Sequence, residues 1–424
     1  MASGNVSALL KPVQIGPYTA RNRIFMSAMG RNRSVPTSVP NELNVEYYRQ
    51  RARSAGLIVT EALLISRQGI EWPYSPGIWS SEQIEGWRKV VEAVHAEGGL
   101  IYAQVFHAGR VCHPEAPEQI AAGVPVYGPS AIAARGGKFR HIPGKPNAPY
   151  VVPAPIDDPE KFVALFKQAA VNVKEAGFDG IEVHASNGYL VNQFLESHSN
   201  QRTDEYGGSK ENRARFVLET LQELIDIWGP ERVGIRLSPG GGYNDMGMPL
   251  DETIDTYSYV TSEIDKLGIG YITFLRYSEA TDPVFDGKNR GTPHDVVGTY
   301  SPLVKNPKTA VLVNTGFTVE EGAEVVDKGI AAAVLYGMNW IVHPDFAKRV
   351  QDGKPLDGIQ RLDMMGLYGH YPPYPHSEDQ LKGEKLAQLK EDLKRGYTDY
   401  PDADVALPGA QDVPVANKMV SVRG

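Results

Sequence analysis

Short apolar runs alternate along the chain with longer stretches whose apolar residues recur at helical spacing. The apolar runs are rich in β-branched residues, and turns containing Gly, Pro, Ser or Asn follow them. Eight such runs occur, at residues 23–29, 57–60, 100–106, 180–183, 233–237, 271–275, 310–313 and 332–335. The intervening stretches predict amphipathic helices over residues 81–97, 159–176, 209–228, 250–267, 318–328 and 344–352. The chain is therefore expected to alternate strands with helices.

The apolar runs also indicate how the strands are arranged. They lack the alternation of a strand with one exposed face, and this is typical of parallel strands that are covered on both faces. Eight successive βα units close most simply into an α/β fold of the (β/α)8 TIM-barrel type. A doubly wound open sheet is the competing fold. Neither GxGxxG nor GxxxxGK[ST] follows the first strand, and the glycine run at 240–242 fits neither spacing, so the barrel is favoured.

Two segments exceed what a simple barrel needs. Residues 112–155 follow the third strand and are rich in Gly, Pro and Ala, so we expect a long insertion that forms a lid or hairpin over the barrel mouth. After Arg361 come an aromatic, Pro-rich stretch (GLYGHYPPYP), a charged helix-like run at 381–394 and a polar tail. For the 424 residues we expect a barrel over 1–360 and a C-terminal extension over 361–424 that packs on the barrel.

Composition narrows the classes of function. Apolar residues make up 42% of the chain and charged residues 22%, which supports a large core and excludes a disordered chain. The net charge of −8, without a basic patch, argues against nucleic-acid binding. The single cysteine, Cys112, excludes an intrachain disulfide and any multi-cysteine metal site. With no leader-like start and no apolar run of about 18 residues, we expect a soluble, cytoplasmic protein that does not bind membranes, as a monomer or homodimer.

In a TIM barrel the residues just after each strand converge on one mouth. At these positions the chain carries cations and hydrogen-bond donors but few carboxylates, so a glycosidase-type pair of acids is not indicated. Such a site suits an electron-rich oxygen ligand. The residues are Ser27, Ala28, Met29, Gly30, Glu61, Gln104, His107, His184, Asn187, Tyr189, Arg236, Arg276, Tyr277, Asn314, Gly316, Tyr336 and Gly337.

The most specific local pattern is GIEVHASNGYL, at the end of the fourth strand. His184 and Asn187 lie three residues apart where the strand gives way to a turn, so both can donate to one carbonyl oxygen. Tyr189 follows with a phenol that can give up a proton. For each residue alone, turn capping or core packing is the alternative interpretation. The three together at a strand end favour a catalytic site.

The chain resembles the Old Yellow Enzyme family of FMN-dependent ene-reductases, of the NADH:flavin oxidoreductase type. The resemblance rests on the HxxN-x-Y pattern at residues 184–189, together with NQRTDEYGGSKENRARF, GLIVTEALLIS and AQVFHAGR. These motifs occur in the family's order from about residue 10 to residue 374, nearly the whole chain. The family fold is an eight-stranded βα barrel with FMN across its mouth.

The resemblance implies a reaction and roles for the three residues. In such enzymes NAD(P)H reduces the flavin and leaves, and an activated alkene such as an α,β-unsaturated carbonyl compound replaces it. By this resemblance, His184 and Asn187 would bind the carbonyl oxygen while hydride arrives at Cβ from flavin N5, and Tyr189 would protonate Cα. Two donors aimed at a developing oxyanion in a dry site supply several kcal/mol.

The resemblance also implies which residues hold the cofactor and the substrate. Gln104 matches the glutamine at the flavin pyrimidine edge, and Arg236, in GIRLSP, matches the arginine that makes the flavin easier to reduce. For Arg236, a salt bridge at the strand end is the structural alternative. Tyr368 matches an aromatic residue lining the substrate cavity, and Tyr277 is assigned there by position only. The expected cofactor-binding residues are Ser27, Ala28, Met29, Gly30, Glu61, Ala62, Gln104, Arg236, Asn314, Gly316, Phe317, Gly337 and Met338.

Two positions depart from the family pattern. The family usually has Thr or Cys after the first strand, beside the flavin N5 and O4 edge, whereas MSAMGR places Gly30 there. The family usually has an arginine on the FMN phosphate after the eighth strand, whereas LYGMNW places Met338 there. A charge-assisted contact contributes about 1.5–3 kcal/mol, so FMN binding is weakened by one or two orders of magnitude unless another cation substitutes.

These departures leave several functions open. The first is an FMN-dependent reductase of activated C=C bonds. The second is an FMN enzyme of specialised metabolism that catalyses a related cyclisation, oxidation or isomerisation. The third is an isomerase or cyclase that has lost the flavin and uses His184, Asn187 and Tyr189 for proton transfer alone. A non-catalytic binding role is the fourth, because fold does not settle function.

Other chemistry finds little support in the sequence. His107, Cys112 and His113 follow no standard zinc spacing, so no metal site is expected. The hydrolase and metalloprotease patterns GxSxG and HExxH do not occur. The charge-rich NQRTDEYGGSKENRARF stretch is expected to brace the mouth, with Ser209 as the N-cap of the next helix.

Overall fold

Eight parallel strands form a closed barrel. Each strand pairs with its neighbours in chain order, and the eighth pairs with the first. The computed structural model describes residues 6–36, 38–137, 148–359, 364–369 and 382–403. The strands are β1 (Ile24–Met26), β2 (Ile58–Val59), β3 (Ile101–Phe106), β4 (Gly180–Ala185), β5 (Val233–Leu237), β6 (Tyr271–Leu275), β7 (Ala310–Asn314) and β8 (Ala333–Tyr336). The predicted (β/α)8 TIM barrel is confirmed.

Helices connect the strands, and all six predicted helices are present with ends within two residues of the expected ones. Ser209 caps the sixth helix as predicted, since its hydroxyl accepts a hydrogen bond from the Asn212 N–H at 3.3 Å. In the described part of the chain, no helix is long and apolar enough to cross a membrane. The helices are α1 (Glu42–Ala52), α2 (Ser81–Ala96), α3 (Pro117–Ala122), α4 (Pro159–Glu175), α5 (Leu190–Leu195), α6 (Lys210–Trp228), α7 (Leu250–Leu267), α8 (Val296–Tyr300), α9 (Val319–Asp327), α10 (Met338–Val342), α11 (Phe346–Asp352), α12 (Met364–Tyr368) and α13 (Gly383–Leu393).

Helix α1 is the long barrel helix that the sequence pattern did not predict. Its sequence, ELNVEYYRQRA, is mostly polar, so no apolar stripe marks it. The face turned to the protein is built from Asn44, Tyr47, Tyr48 and Arg51, all fully buried. Polar groups of Asn44, Tyr48 and Arg51 are hydrogen-bonded inside the protein, for example Arg51 Nε to the Trp340 carbonyl at 2.7 Å. Tertiary partners therefore stabilise a helix whose buried face mixes these polar groups with apolar side chains such as Leu43 and Ala52.

Two apolar layers hold the barrel. One lies between the strands and the surrounding helices, and the other fills the lower barrel interior, where side chains from six of the strands meet. Tyr102 of β3 and Tyr271 of β6 contact each other across this interior, with ring centroids 5.8 Å apart. An antiparallel hairpin of Val13–Ile15 and Tyr18–Ala20 contributes Ile15 and Ala20 to the same layer. The lower end is thus closed, and polar chemistry is confined to the opposite mouth.

The insertion after β3 begins with helix α3 and forms a small parallel pair of strands, Tyr127–Gly128 with Ala154–Pro155. The two strands of a hairpin run antiparallel, so this pair does not form the predicted hairpin. Residues 138–147 of the insertion lie outside the described residues, as do residues 370–375 of GLYGHYPPYP, Leu381 and the tail from 404. The remaining short elements are strands Leu63–Leu64, Val284–Phe285 and Lys288–Asn289 and the 3-10 helices Val6–Leu10, Gly109–Val111, Pro230–Arg232, Tyr243–Asp245, Glu279–Thr281 and Ser301–Leu303.

The described parts of the C-terminal region contact the loop after β1. Arg31 Nη2 donates to the carbonyls of Gly366 and Gly396, at 2.9 and 2.6 Å. Arg33 Nε donates to the Leu393 carbonyl at 3.0 Å. Both guanidiniums are fully buried, so the carbonyls that accept from them replace the water they lose. These contacts tie the region to the barrel beside the mouth.

Tyr397 gives a test of this attachment. Its ring is fully buried and stacks on Tyr47 of α1, with centroids 4.1 Å apart. We expect Tyr397→Ala to lower the free energy of unfolding by about 3–5 kcal/mol, as for other buried aromatic residues, when measured by urea denaturation. Lys385→Ala, on the exposed face of α13, is the matched control and is expected to change nothing. A loss below about 1 kcal/mol in Tyr397→Ala would show that the attachment contributes little to stability.

Candidate functional site

The inner face of strands β3 to β5 gathers polar side chains at the mouth. Gln104 pairs in register with Glu182, and His184 pairs in register with Arg236. Residues paired in register, and residues two apart on one strand, point to the same face of a sheet. All four side chains therefore lie on one face. Gln104 Nε2 donates to Glu182 Oε1 at 2.6 Å, which fixes the glutamine side chain.

Arg236 links three strands of the barrel. Its Nη1 donates to Ser27 Oγ at 2.9 Å, and its Nη2 donates to Asn314 Oδ1 at 2.8 Å. Its Nε is buried and has no hydrogen-bond partner among the described residues. The alternative interpretation, a salt bridge at the strand end, is not formed in the described part of the chain, since the hydrogen-bond partners of Arg236 are a hydroxyl and an amide. A buried cation with neutral partners and a spare donor fits a ligand with electron-rich oxygen or nitrogen.

His184 is buried beside Tyr189, with ring centroids 4.8 Å apart and the planes nearly perpendicular. Burial, and then the charge of Arg236, hold the pKa of His184 well below its usual range. The imidazole is therefore neutral at pH 7 and carries one N–H. Its Nδ1 lies 3.0 Å from Ser186 Oγ. When that hydroxyl donates to Nδ1, Nε2 holds the proton and can donate to a ligand.

Asn187 sits in a tight turn that brings two loops together. It has a φ of +58°, in the left-handed region that few residues other than Gly, Asn and Asp adopt. Its N–H donates to Ser238 Oγ at 2.9 Å, and its carbonyl accepts from Asn244 Nδ2 at 2.9 Å. The backbone of this partly exposed residue is thus held by the loop after β5.

Tyr189 is partly buried, and its hydroxyl is bound by an acidic residue that the sequence analysis did not single out. The hydroxyl donates to Glu71 Oε2 at 2.7 Å. Burial, and then the charge of Glu71, raise the pKa of Tyr189 well above its usual value. Glu71 does not directly follow a barrel strand, so the search for residues just after the strands missed it. The available signal was its position in IEWP, between apolar and aromatic residues. An acidic residue in such a run is expected to be buried, and a buried carboxylate needs a polar partner.

Tyr368 of α12 reaches the same region. Its ring stacks on Trp72, the neighbour of Glu71, with centroids 4.5 Å apart and an interplanar angle of 14°. Tyr368 is also close enough to Tyr189 to contribute to the raised pKa of that phenol. The structure therefore brings Tyr368, Tyr189 and His184 into one region of the mouth.

Two other expected site residues have their polar groups engaged within the protein. Glu61 Oε2 accepts from the backbone N–H groups of Arg31 and Asn32, at 2.9 and 3.2 Å, so this carboxylate holds the loop after β1. The Tyr277 hydroxyl donates to Asp282 at 2.7 Å, which ties it to the loop after β6. Neither group is directed at the His184 and Tyr189 pair by any contact in the described chain.

The ends of β1 and β8 meet beside the two positions that depart from the family pattern. Ala28, Met29 and Ala62 are partly exposed here. A Cβ added at Gly337 would lie 3.2 Å from Met29 Sδ. A Cβ added at Gly30 would lie 3.6 Å from Asn32 Oδ1, an ordinary contact, so no clash with the described residues requires glycine at position 30. Met338 is 52% exposed, at the start of α10.

A cation lies close to the glycine after β7. A Cβ added at Gly316, whose φ is +71°, would lie 3.6 Å from Arg276 Nη2. The Arg276 guanidinium stacks on the Phe317 ring, 3.6 Å from its centroid, and Nη2 lies 3.3 Å from Glu321 Oε2. A positive charge is thus present at this part of the mouth, where Met338 supplies none.

The residues weighed for a metal site serve the loops. His107 Nδ1 accepts from the Gly109 N–H at 3.0 Å, and His113 Nδ1 accepts from the Glu115 N–H at 3.1 Å. Across residues 6–36, 38–137, 148–359, 364–369 and 382–403, no group of three or more His, Cys, Asp or Glu side chains is arranged to hold a metal ion.

Comparisons with known proteins identify the family to which this barrel belongs. Residues 8–357 match the model of the NADH:flavin oxidoreductase / NADH oxidase family. The chain belongs to this family.

Several relatives are similar over most of their length. A probable flavin mononucleotide-dependent alkene reductase of Leishmania infantum is 37% identical over 84% of this chain and 93% of that protein. A probable inactive reductase, easA, of Epichloe festucae var. lolii is 34% identical over 90% of this chain and 98% of that protein. Among solved structures, morphinone reductase aligns with a TM-score of 0.76 and 35% identity, over 93% of this chain and 96% of its own.

The buried His107 makes stability depend on pH. Burial lowers its pKa to about 3, so the folded protein keeps the imidazole neutral while the unfolded chain binds a proton below about pH 6.5. The contribution of the neutral His107 to the free energy of unfolding is complete above pH 6.5 and is lost as the pH falls toward 3. At pH 5 the loss amounts to about 2 kcal/mol. We expect His107→Asn to reduce the fall in unfolding free energy between pH 7 and pH 5, measured by urea denaturation.

His95 is the control for this prediction because its shift has the opposite sign. Its hydrogen bond to Asp179, at 3.0 Å, raises the pKa of His95, so its contribution is present below the unfolded pKa and is lost as the pH rises. His95→Gln is expected to steepen the fall toward pH 5. If the pH dependence is unchanged in His107→Asn, the folded protein binds a proton at His107 between pH 7 and pH 5 as readily as the unfolded chain does.

Proposed function

We propose that the protein is an FMN-dependent NAD(P)H oxidoreductase that reduces the C=C bond of an activated alkene, such as an enone. The observation that carries this proposal is the packing of the neutral His184 imidazole against the Tyr189 phenol, next to a buried arginine without a salt bridge in the described chain. A neutral hydrogen-bond donor and a proton donor on one side of a cation suit a carbonyl substrate and an electron-rich cofactor.

The mouth residues fit the ring system of FMN. Arg236 keeps an unpartnered buried Nε, an atom that a flavin acceptor would satisfy. Ser27 and Asn314 orient this guanidinium, and Gln104 presents its amide on the same face of the sheet. When bound, FMN would supply the hydride. Ala28, Met29, Gly30 and Ala62 would line its seat, and Gly316, Phe317, Gly337 and Met338 its phosphate end.

The protein's own groups would handle the substrate. His184 and Asn187 would donate to the carbonyl oxygen and stabilise the negative charge that develops there. Because the imidazole is already neutral, it acts as a hydrogen-bond donor and not as an acid. The Tyr189 phenol would then protonate Cα. Tyr368, stacked on Trp72, would line the apolar side of the cavity.

A second function is favoured by a specific observation. Met338 stands where the family usually has the arginine that binds the FMN phosphate. In addition, one relative that aligns over most of its length is named a probable inactive reductase. A specialised-metabolite isomerase or cyclase with weakened or lost FMN would use the same three residues for proton transfer alone. The visible spectrum of the purified protein separates the two functions, because only a flavoprotein is yellow and is bleached by NADPH without oxygen.

We further propose that residues 1–360 act as one catalytic barrel and residues 361–424 as an extension packed on it. The contacts of Arg31 and Arg33 with the backbone of the C-terminal region support this division. The extension would complete the substrate cavity through Tyr368.

Replacement of both oxyanion donors tests the main proposal. In His184→Ala/Asn187→Ala, FMN is expected to remain bound, while reoxidation of the reduced protein by 2-cyclohexenone slows by about 100-fold or more. Anaerobic stopped-flow absorbance measures this half-reaction. The matched control, Ser130→Ala, removes a polar side chain from the insertion and is expected to leave the rate unchanged. Equal reoxidation rates in the double variant and the wild type would refute the assigned role.

Two substitutions test how the phosphate end is held. Met338→Arg adds a charge-assisted contact of about 1.5–3 kcal/mol, so FMN affinity is expected to rise about tenfold or more. Arg276→Gln removes the cation near Gly316 and is expected to lower the affinity by a similar factor. Fluorescence titration of apoprotein with FMN measures both.

Arg232→Gln is the control for this pair, because Arg232 precedes β5 at the closed end of the barrel. Its FMN affinity is expected to equal that of the wild type. Unchanged affinity in both Met338→Arg and Arg276→Gln would mean that other groups hold the phosphate.

A further inference from the structure

Glu71 is a buried carboxylate at the mouth to which the sequence motifs assign no role. It is 4% exposed and lies in the loop between β2 and α2. The Tyr189 hydroxyl donates to its Oε2 at 2.7 Å, and Tyr150 also hydrogen-bonds to it. A carboxylate held by two phenols on different loops is costly to bury unless these partners satisfy it. The site therefore contains an acid–base group behind the proposed proton donor.

The surroundings hold Glu71 in this place. The next residue, Trp72, stacks on Tyr368, which fixes the chain on one side of the carboxylate. The Tyr150 hydroxyl also lies 3.3 Å from Asn244 Oδ1, and Asn244 Nδ2 donates to the Asn187 carbonyl at 2.9 Å. Tyr150 thus lies between Glu71 and Asn244, and Asn244 holds the turn that carries the second oxyanion donor.

The direction of the Tyr189 hydrogen bond decides which proton transfers are possible. A phenol that donates to a carboxylate has its oxygen lone pairs free for a proton from a ligand. The ligand proton can pass to the phenol oxygen while the phenol proton passes to Glu71, so no phenolate has to accumulate. The reverse path returns a proton to the ligand. A carboxylate base with hydrogen-bond donors at the carbonyl oxygen is also how ketosteroid isomerase enolises a ketone.

We propose that Glu71 and Tyr189 form a two-group proton relay that enolises saturated carbonyl compounds bound to His184 and Asn187, an activity that requires no NAD(P)H. The Cα–H bond breaks, its electron pair forms the C=C bond of the enolate, and the carbonyl π electrons move to the oxygen. Tyr189 takes the Cα proton and Glu71 takes the Tyr189 proton, and the reverse transfers restore the ketone. No atom changes its oxidation state overall. The inference rests on the proposed function for the carbonyl site, and Glu71 is a positioning residue that acts through Tyr189.

Exchange of Cα hydrogen with solvent measures this activity directly. The oxidised holoprotein is incubated in D2O buffer with cyclohexanone and without nicotinamide, and deuterium in the ketone is followed by mass spectrometry. We expect exchange about 100-fold or more above that of buffer alone. Tyr189→Phe should abolish the excess, and Glu71→Gln, which keeps the shape but removes the base, should lower it about tenfold or more. Glu71→Asp, which keeps a carboxylate, should restore part of it.

Glu219→Gln is the matched control. It removes a carboxylate that accepts from a tyrosine hydroxyl, Tyr206, at 2.8 Å, but Glu219 lies on helix α6 and not at the end of a barrel strand. Its exchange rate should equal that of the wild type. Wild-type exchange no faster than that of buffer would overturn the inference without any variant, and so would a folded Glu71→Gln protein that exchanges as fast as the wild type.

The test of the proton relay and the test of the reductase can give opposite results. Bleaching by NADPH and reoxidation by 2-cyclohexenone, without any Cα exchange, would uphold the reductase and refute the relay. Cα exchange that depends on Glu71, in a protein that NADPH does not bleach, would refute the reductase and uphold the relay.

Discussion

Closure of the parallel sheet is the constraint on which the rest of the molecule depends. Pairing of β8 with β1, and of β2 with β3, leaves no open edge, and it forces the carboxyl ends of all eight strands into one ring. Tyr102 and Tyr271 fill the lower interior, so the barrel is open to ligands only at that ring. Residues more than 200 positions apart, such as Ser27 and Arg236, become hydrogen-bond partners only because of this closure.

Within the ring, charge is distributed unevenly, and this decides what the site can do. The Arg236 cation has neutral hydrogen-bond partners in the described chain, and it helps to keep the nearby His184 uncharged. The carboxylate of Glu71 sits on the far side of Tyr189 and raises the pKa of that phenol. One side of the mouth thus favours electron-rich ligands, while the other holds a phenol that is hydrogen-bonded to a carboxylate. This separation is what a carbonyl reductase or a carbonyl isomerase needs.

The positions that depart from the family pattern are explained by their surroundings only in part. Gly30 has space for a side chain, so sterics do not require glycine there. Met338 is exposed, whereas Arg276 places a guanidinium near Gly316. A guanidinium is therefore present at the end of another strand, although Met338 carries no charge. Its ion pair with Glu321 lowers the charge that it can offer to a phosphate.

The sequence alone determined the strands, the helices with apolar stripes and the strand-end residues, because the period of burial and the direction of parallel strands are local properties. It did not reveal α1, whose buried face of Asn44, Tyr47, Tyr48 and Arg51 is stable only through partners distant in the chain. It also missed Glu71, which follows no strand end. Only the tertiary structure brings that carboxylate to Tyr189, because their 2.7 Å contact joins residues 118 positions apart. A hydrogen bond between distant loops leaves no periodic trace in a sequence.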